Sequence, residues 1–291
     1  MRLRLPSVVC CAIVVLLSGV TGISWADDVP RTDVPPVGRI SAEQHLNMAD
    51  SRGFDILGRD VFETDFQFVR RGSIPPGRSI PVQKNDMEVL YVVLSGTASC
   101  HSDSQNLDLT DGSVVVIPPN TTCVIANNGD SAVDWLAIGV AVRPGDSVAT
   151  GRVDSLGVMS DRLDKSLLRS GRAAHKGVGT TRFRRVWSHP DFISRLFAVS
   201  HAVVPPGSSI GYHQHSTREE VYYVISGSGR LTANDSTFAV SAGDGVPCRL
   251  RGSHGIFNDS KDDVELFVFS VAVEKGNVTG EKNWGDDLSD R

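Results

Sequence analysis

The sequence predicts an all-β protein made of two tandem copies of one unit, with short connecting helices. Three observations carry this expectation. Runs rich in Val, Ile, Phe and Tyr are broken by turn residues among 28 Gly and 14 Pro, the pattern of short strands separated by turns. Segments recur in the same order along the chain: IPPG at 74–77 returns as VPPG at 204–207, EVLYVVLSG at 88–96 as EVYYVISG at 220–227, and Asp111-Gly112 as Ala242-Gly243. The length of 291 residues, with 40% hydrophobic and 22% charged, gives two ordinary soluble domains enough core.

In chain order, residues 1–26 have the layout of a secretory signal peptide. Arg2 and Arg4 form a positive start, 7–20 is an almost unbroken apolar run, and Ser24, Trp25 and Ala26 precede Asp27. Cleavage after Ala26 removes two basic and no acidic residues, taking the net charge from −5 to −7. The expected location is secreted or periplasmic, with no membrane attachment once the segment is gone. Residues 27–58 read as an extension. Its start, 27–38, is polar, proline-punctuated and poorly ordered, and a short helix over 41–49 is capped by Ser41.

The first copy spans 59–145, with strand signals from Val61 and Phe62 onward. A connector, 146–180, follows. Leu163, Leu167 and Leu168 at helical spacing predict an amphipathic helix over 161–169, and 173–181 reads as a linker or pocket rim. The second copy spans 181–274. The tail, 275–291, is polar and either mobile or pinned through Trp284.

Acidic net charge without a basic stripe argues against nucleic acid as a partner. Of 5 Cys, cleavage leaves Cys100, Cys123 and Cys248, so at least one thiol is unpaired. Cys100 and Cys123 can pair, although the low cysteine density favours buried free thiols.

The chemistry concentrates in the second copy. His213 and His215 lie two apart on a strand pattern, so their imidazoles face one side. A short turn over 216–219 returns Glu220 to a neighbouring strand facing them. Two neutral imidazoles and a carboxylate suit a divalent first-row metal. From Gly207 through His213, His215 and Glu220 to Gly227 the spacing is G-x5-H-x-H-x4-E-x6-G, and Gly243, His254 and Asn258 form a second spaced set.

These two stretches resemble the cupin motifs, with Arg249 and Arg251 standing where the second pattern has Pro and Gly. The resemblance implies two tandem double-stranded β-helix (jelly-roll) barrels. His213, His215, Glu220 and His254 would surround one Fe, Mn, Ni, Co or Zn ion in the second barrel. In the first copy Gln83, Asn85 and Cys123 take the histidine slots, and Glu88 is a candidate for the acidic slot if the register allows. That copy is expected to persist mainly as a packing partner, with a metal-free polar pocket as the alternative. Pairing into a homodimer is implied by analogy with the family.

Strand alternation places Tyr222 and Val224 on the inner side with Glu220, and Ile256 with His254. Tyr222 is a candidate catalytic donor or, alternatively, a core aromatic. Arg249 and its neighbour Arg251 could bind a substrate carboxylate or be surface arginines, and His201 reads as structural. Two-barrel relatives of this pattern include oxalate decarboxylase-like and quercetin dioxygenase-like enzymes. The expected function is an exported metal-dependent enzyme acting on a small oxygen-rich molecule by oxidative (dioxygenase-like) or decarboxylative cleavage. The alternatives are a non-catalytic protein binding a metal, sugar or organic acid, and a metal-dependent isomerase or lyase.

Overall fold

A computed structural model of the protein describes residues 33–39, 53–82, 85–103, 105–147 and 157–291. The expected signal peptide and the helix over 41–49 fall outside them. Strands β1 (Phe54–Gly58), β2 (Phe66–Ile74), β3 (Ser79–Val82), β4 (Met87–Ser95), β5 (Ala98–Ser102), β6 (Asn106–Leu109), β7 (Ser113–Ile117), β8 (Cys123–Ala126) and β9 (Val133–Ala141) make the first barrel. The connector contributes β10 (Met159–Arg162) and β11 (Arg169–Arg172). The second barrel holds β12 (Thr180–Ser188), β13 (Leu196–Val204), β14 (Ser209–Gln214), β15 (Arg218–Ser226), β16 (Ser228–Ala233), β17 (Ser236–Ser241), β18 (Gly245–Cys248), β19 (Ser253–Phe257) and β20 (Val264–Ala272). The tail adds β21 (Lys282–Asn283).

Each barrel is a jelly roll of two facing antiparallel sheets. The first combines β1-β2-β9-β4-β7-β10 with β3-β8-β5-β6, and the second β11-β12-β13-β20-β15-β18 with β17-β16-β19-β14-β21. The two six-stranded sheets lie back to back. Leu90, Val92, Leu136 and Ile138 of one pack with Val221, Tyr223, Phe267 and Phe269 of the other in one continuous core. Strands covered on both faces need no polar side, which explains why β20 is buried along its whole length and why its sequence runs VELFVFSVA. Separate cores fill the two barrels, around Ile117, Ile125 and Trp135 in the first and Val224, Leu231 and Ile256 in the second.

The barrels also exchange polar contacts in matched pairs. Glu88 of β4 accepts from the Ile193 and Ser194 amides at 3.0 Å each and from the Ser194 hydroxyl at 2.6 Å. Glu219 of β15 accepts from the Thr64 amide at 2.8 Å, the Thr64 hydroxyl at 2.7 Å and the Glu63 amide at 3.0 Å. Each carboxylate caps a loop of the opposite barrel. Burial pushes both carboxyls up, and the donated hydrogen bonds oppose that rise. The pairing also corrects a register. Glu220 lies opposite Cys248 as Val89 lies opposite Ile117, so Glu88 corresponds to Glu219 and the acidic slot of the first barrel holds Val89.

The connector departs from expectation. Residues 161–169 form no helix: β10 pairs with β7, a 3-10 turn capped by Asp164 spans Lys165–Leu167, and β11 pairs with β12. A two-turn helix is marginal in isolation, whereas two sheet edges offer ready backbone partners. Leu163 is buried, but Leu167 is 50% exposed, so the leucine stripe has no apolar surface to cover. Val61 lies in a 3-10 turn, Arg59–Val61, before β2 begins.

The described part of the lead-in is docked on the second barrel. Gly38 exchanges two backbone hydrogen bonds of 2.8 Å with Gly245, and Arg39 pairs with Asp244 at 2.9 Å. The tail is pinned as well, though not by Trp284, which is 49% exposed. Leu288 is its buried anchor at 1% exposure, and β21 pairs with β14.

His201 is structural. Fully buried, it lies 2.8 Å from Glu265, which also takes hydrogen bonds from Lys165 and Ser226. Burial raises the Glu265 carboxyl, but these three partners outweigh it and hold the group at about 2.

Two outcomes test this account. Glu88→Ala leaves two amides and a hydroxyl without an acceptor and should cost about 3–5 kcal/mol in urea denaturation, while a cost below about 1 kcal/mol contradicts the cap. For Glu265 the folded value lies below the unfolded one, so its stabilisation is complete above about 4.5 and disappears as pH falls towards about 2. Glu265→Gln should therefore lower the urea midpoint at pH 7 and leave it nearly unchanged at pH about 2.5; an equal loss at both pH values refutes the linkage.

Candidate functional site

Strands β14, β15 and β19 of the second barrel bring His213, His215, Glu220 and His254 together, with one ligand-type atom of each within 4.8 Å of all the others. The local causes are simple. His213 on β14 and His215 one residue past its end both turn inward, Glu220 points inward from β15, and His213 lies directly opposite His254 across the β14–β19 ladder. Three are buried and Glu220 is nearly so, with its side chain 12% exposed.

Hydrogen bonds orient the rings. His213 Nδ1 lies 2.8 Å from the Gly211 carbonyl and donates to it, which leaves Nε2 as a bare lone pair. That Nε2 is buried and has no hydrogen-bond partner among the described residues. Glu220 Oε2 lies 3.3 Å from His254 Nε2 and 3.8 Å from His215 Nε2. Burial holds the His213 imidazole well below its usual range, helped by the neighbouring rings, and lowers His215 to about 4. Burial alone would raise Glu220, yet His215 and His254 overcome it and hold the carboxyl well below normal. At neutral pH His213 and His215 are therefore uncharged and Glu220 is an anion, the protonation states metal ligation requires. A buried imidazole lone pair among three further donors of this chemistry fits a divalent transition metal. The spacing is close to the span of two bonds of about 2.0–2.2 Å each.

A cavity of about 90 Å³ borders the cluster at Glu220. It lies on the inner face of the six-stranded sheet, and its lining includes Glu220, Tyr222, Arg185, Arg218, Phe197 and Ser270. Tyr222 is buried with its ring edge-on to His254, the centroids 5.4 Å apart. Burial and the Glu220 charge keep its phenol well above the ordinary value, so the hydroxyl is a neutral donor. Val224 and Ile256 are fully buried in the barrel core. Arg249 does not line the cavity; its guanidinium pairs with Asp33 of the lead-in. Arg251 lies 3.3 Å from Glu63 of the first barrel.

The structure adds residues that motif spacing missed. Arg218, inside the turn between the histidines and Glu220, reaches His215 Nε2 at 3.0 Å and lies over the Phe197 ring at 5.4 Å. Arg185 of β12 extends over Phe183 at 5.7 Å, and no carboxylate pairs with it among the described residues. From the connector, His175 stacks on His213 with centroids 3.6 Å apart and planes 5° apart. Its backbone takes a left-handed φ of 52°. Two glycines permit this approach: a Cβ on Gly211 would meet the His175 carbonyl at 2.3 Å, and one on Gly177 the Ser209 carbonyl at 2.4 Å. Glu281 of the tail lies 3.2 Å from His175 and 3.4 Å from Arg218. The only trace of His175 in the sequence is its place in a small, polar stretch readable as a pocket rim.

In the first barrel the corresponding positions hold Asn85, Val89 and Cys123; Gln83 lies outside the described residues. Asn85 accepts from the Met87 amide at 2.8 Å. Cys123 meets Cys100 with sulfurs 2.6 Å apart.

Comparison with known proteins agrees with this architecture. The family model for the cupin domain matches twice, at residues 70–139 and 200–270. The alginate biosynthesis protein AlgA of Pseudomonas putida is 26% identical over 184 residues, covering 62% of this chain and 36% of that protein. An oxalate-binding protein of Thermotoga maritima is 38% identical over 80 residues, 28% of this chain and 64% of its own length. The chain thus spans about a third of AlgA and just under two thirds of the oxalate-binding protein. Among solved structures, a putative glyoxylate-induced protein from Pseudomonas aeruginosa superposes with a TM-score of 0.60 at 16% identity, covering 75% of this chain and 78% of that one. Salicylate 1,2-dioxygenase of Pseudoaminobacter salicylatoxidans gives 0.59 at 12% identity, covering 84% and 85%. At these identities the structures speak for the fold alone. With two barrels of the same topology in tandem and both cupin motif regions matched, the chain belongs to the cupin family as a two-barrel member.

Proposed function

We propose that this protein is an exported, metal-dependent enzyme that cleaves a small, oxygen-rich organic anion by an oxidative or decarboxylative route. His213, His215, Glu220 and His254 would hold one Fe, Mn, Ni, Co or Zn ion. The observation that carries the reading is the buried Nε2 of His213, without a hydrogen-bond partner among the described residues, held bare by the Gly211 carbonyl and turned into a group of three further metal-type donors. When bound, such a metal supplies Lewis acidity, or a redox relay if it is iron or manganese.

The remaining side chains suit a carboxylate-bearing substrate. Arg185 and Arg218 offer charged donors along the cavity, and the rings of Phe183 and Phe197 flank a planar body. Ser270 lines the same wall with a buried hydroxyl that has no hydrogen-bond partner among the described residues. Tyr222 excludes water on the His254 side and presents a neutral phenol. These positions replace Arg249 as the anion-binding candidate, since Arg249 pairs with Asp33. The oxalate-binding relative has a name that points to a small carboxylate, in keeping with this choice.

A second reading, binding without turnover, is favoured by the same oxalate-binding relative. Oxygen uptake or carbon dioxide release from a panel of dicarboxylates and hydroxybenzoates separates the two, because a pure binding protein shows ligand-dependent melting shifts and no product.

Elemental analysis of protein loaded with metal and then desalted should find about one ion per chain. His213→Ala or His215→Ala should lower affinity at least about 100-fold. Absence of metal from loaded wild-type protein ends the reading. Arg218→Ala should weaken a carboxylate ligand about 10–100-fold in titration, the loss of a charged hydrogen bond of about 1.5–3 kcal/mol, and unchanged affinity would remove Arg218 from the binding role.

A further inference from the structure

The first barrel has kept the jelly roll while replacing its ligand set, and one replacement has acquired a partner. Cys123 stands eleven residues after Gly112, as His254 stands eleven after Gly243. It lies on β8, next to β5, with Ser102 opposite Cys123 and Cys100 opposite Ile125 in the antiparallel register. Both cysteines point into the first barrel's core, at 1% exposure for Cys100 and 0% for Cys123. Their sulfurs are 2.6 Å apart, inside the contact distance of two unbonded sulfur atoms. Cys248 is an internal contrast: also buried in the second barrel, its Sγ has the Val246 carbonyl, at 3.9 Å, as its one hydrogen-bond partner among the described residues.

We propose that Cys100 and Cys123 are a disulfide site that ties β5 to β8 in the first barrel, a covalent cross-link where the second barrel has its metal-type cluster. Once the strands close, the pair is sealed from solvent, so the bond forms as the barrel folds. The oxidant is a small-molecule disulfide of the glutathione class. The Cys100 thiolate attacks one sulfur of that disulfide, displacing a thiolate and forming a mixed disulfide. Cys123 then gives up its proton and attacks the Cys100 sulfur, releasing the second thiol. In balance, one small disulfide is reduced to two thiols while two protein thiols are oxidised to one disulfide.

The test uses the full chain. Protein refolded in oxidised and reduced glutathione is quenched with iodoacetamide, and the soluble fraction is digested and mapped by mass spectrometry. The expected result is a joined Cys100–Cys123 peptide pair, lighter by about 2 Da than the two thiol peptides together, with Cys248 alkylated. Reduction should lower Tm by about 5–10 °C, and the Tm of a Cys100→Ser, Cys123→Ser double variant should not respond to reductant. Alkylation or glutathionylation of both Cys100 and Cys123, or joining of either to Cys248, overturns the assignment. A joined pair whose reduction leaves Tm unchanged overturns its role as a staple.

Discussion

The arrangement rests on two sheets packed back to back and on the buried carboxylates that cross between them. The shared core supplies the non-directional part, with Tyr223, Phe267 and Phe269 meeting Leu90, Leu136 and Ile138. Directionality comes from Glu88 and Glu219, each taking amide and hydroxyl donors from a loop of the other barrel. A buried carboxylate tolerates few geometries, so the two caps set how the barrels meet. Edge strands follow the same exchange. The lead-in to the first barrel pairs with β18 of the second through Gly38, and the lead-in to the second barrel, β10, pairs with β7 of the first. Open sheet edges are thereby covered by the segments that join the units.

That framework determines what surrounds the candidate metal cluster. The barrel brings the three imidazoles and Glu220 together, while the cover comes from outside it. His175 arrives from the connector and lies flat on His213, and Glu281 arrives from the tail beside His175 and Arg218. Both segments are irregular in sequence, and both are held by backbone pairing, β11 to β12 and β21 to β14. Polar segments that sequence composition assigns to linkers can in this way supply the walls of a site.

Comparison of the two copies shows how a duplicated barrel can lose one chemistry without losing its fold. Val89 in place of Glu220 and Cys123 in place of His254 are changes toward the apolar, and the interior of the first barrel closes around them. Glu88 misleads in a one-line alignment because β4 has one more residue before its closing glycine than the stretch beginning at Glu220. Counted back from Gly96 and Gly227, it falls in the outward-facing position of Glu219, and strand alternation converts that single step into the opposite face.

The sequence alone determined the β class and the duplication, through strand-and-turn patterning and recurring segments, and period-two alternation set His213 and His215 on one side with Glu220 facing them; His254 joined the set through the resemblance to the cupin motifs. It also indicated an inward Tyr222, through the same alternation. Tertiary structure decided the rest. The 161–169 stripe became two edge strands because neighbouring sheets offered hydrogen bonds that a short helix could not match. Arg249 turned to Asp33, and Arg185, Arg218 and His175 came to line the cavity, since side chains far apart in the chain meet only once the strands are ordered in space. Glu88 and Glu219 acquired their roles for the same reason: what each binds belongs to the other barrel, and no local pattern in either copy records it.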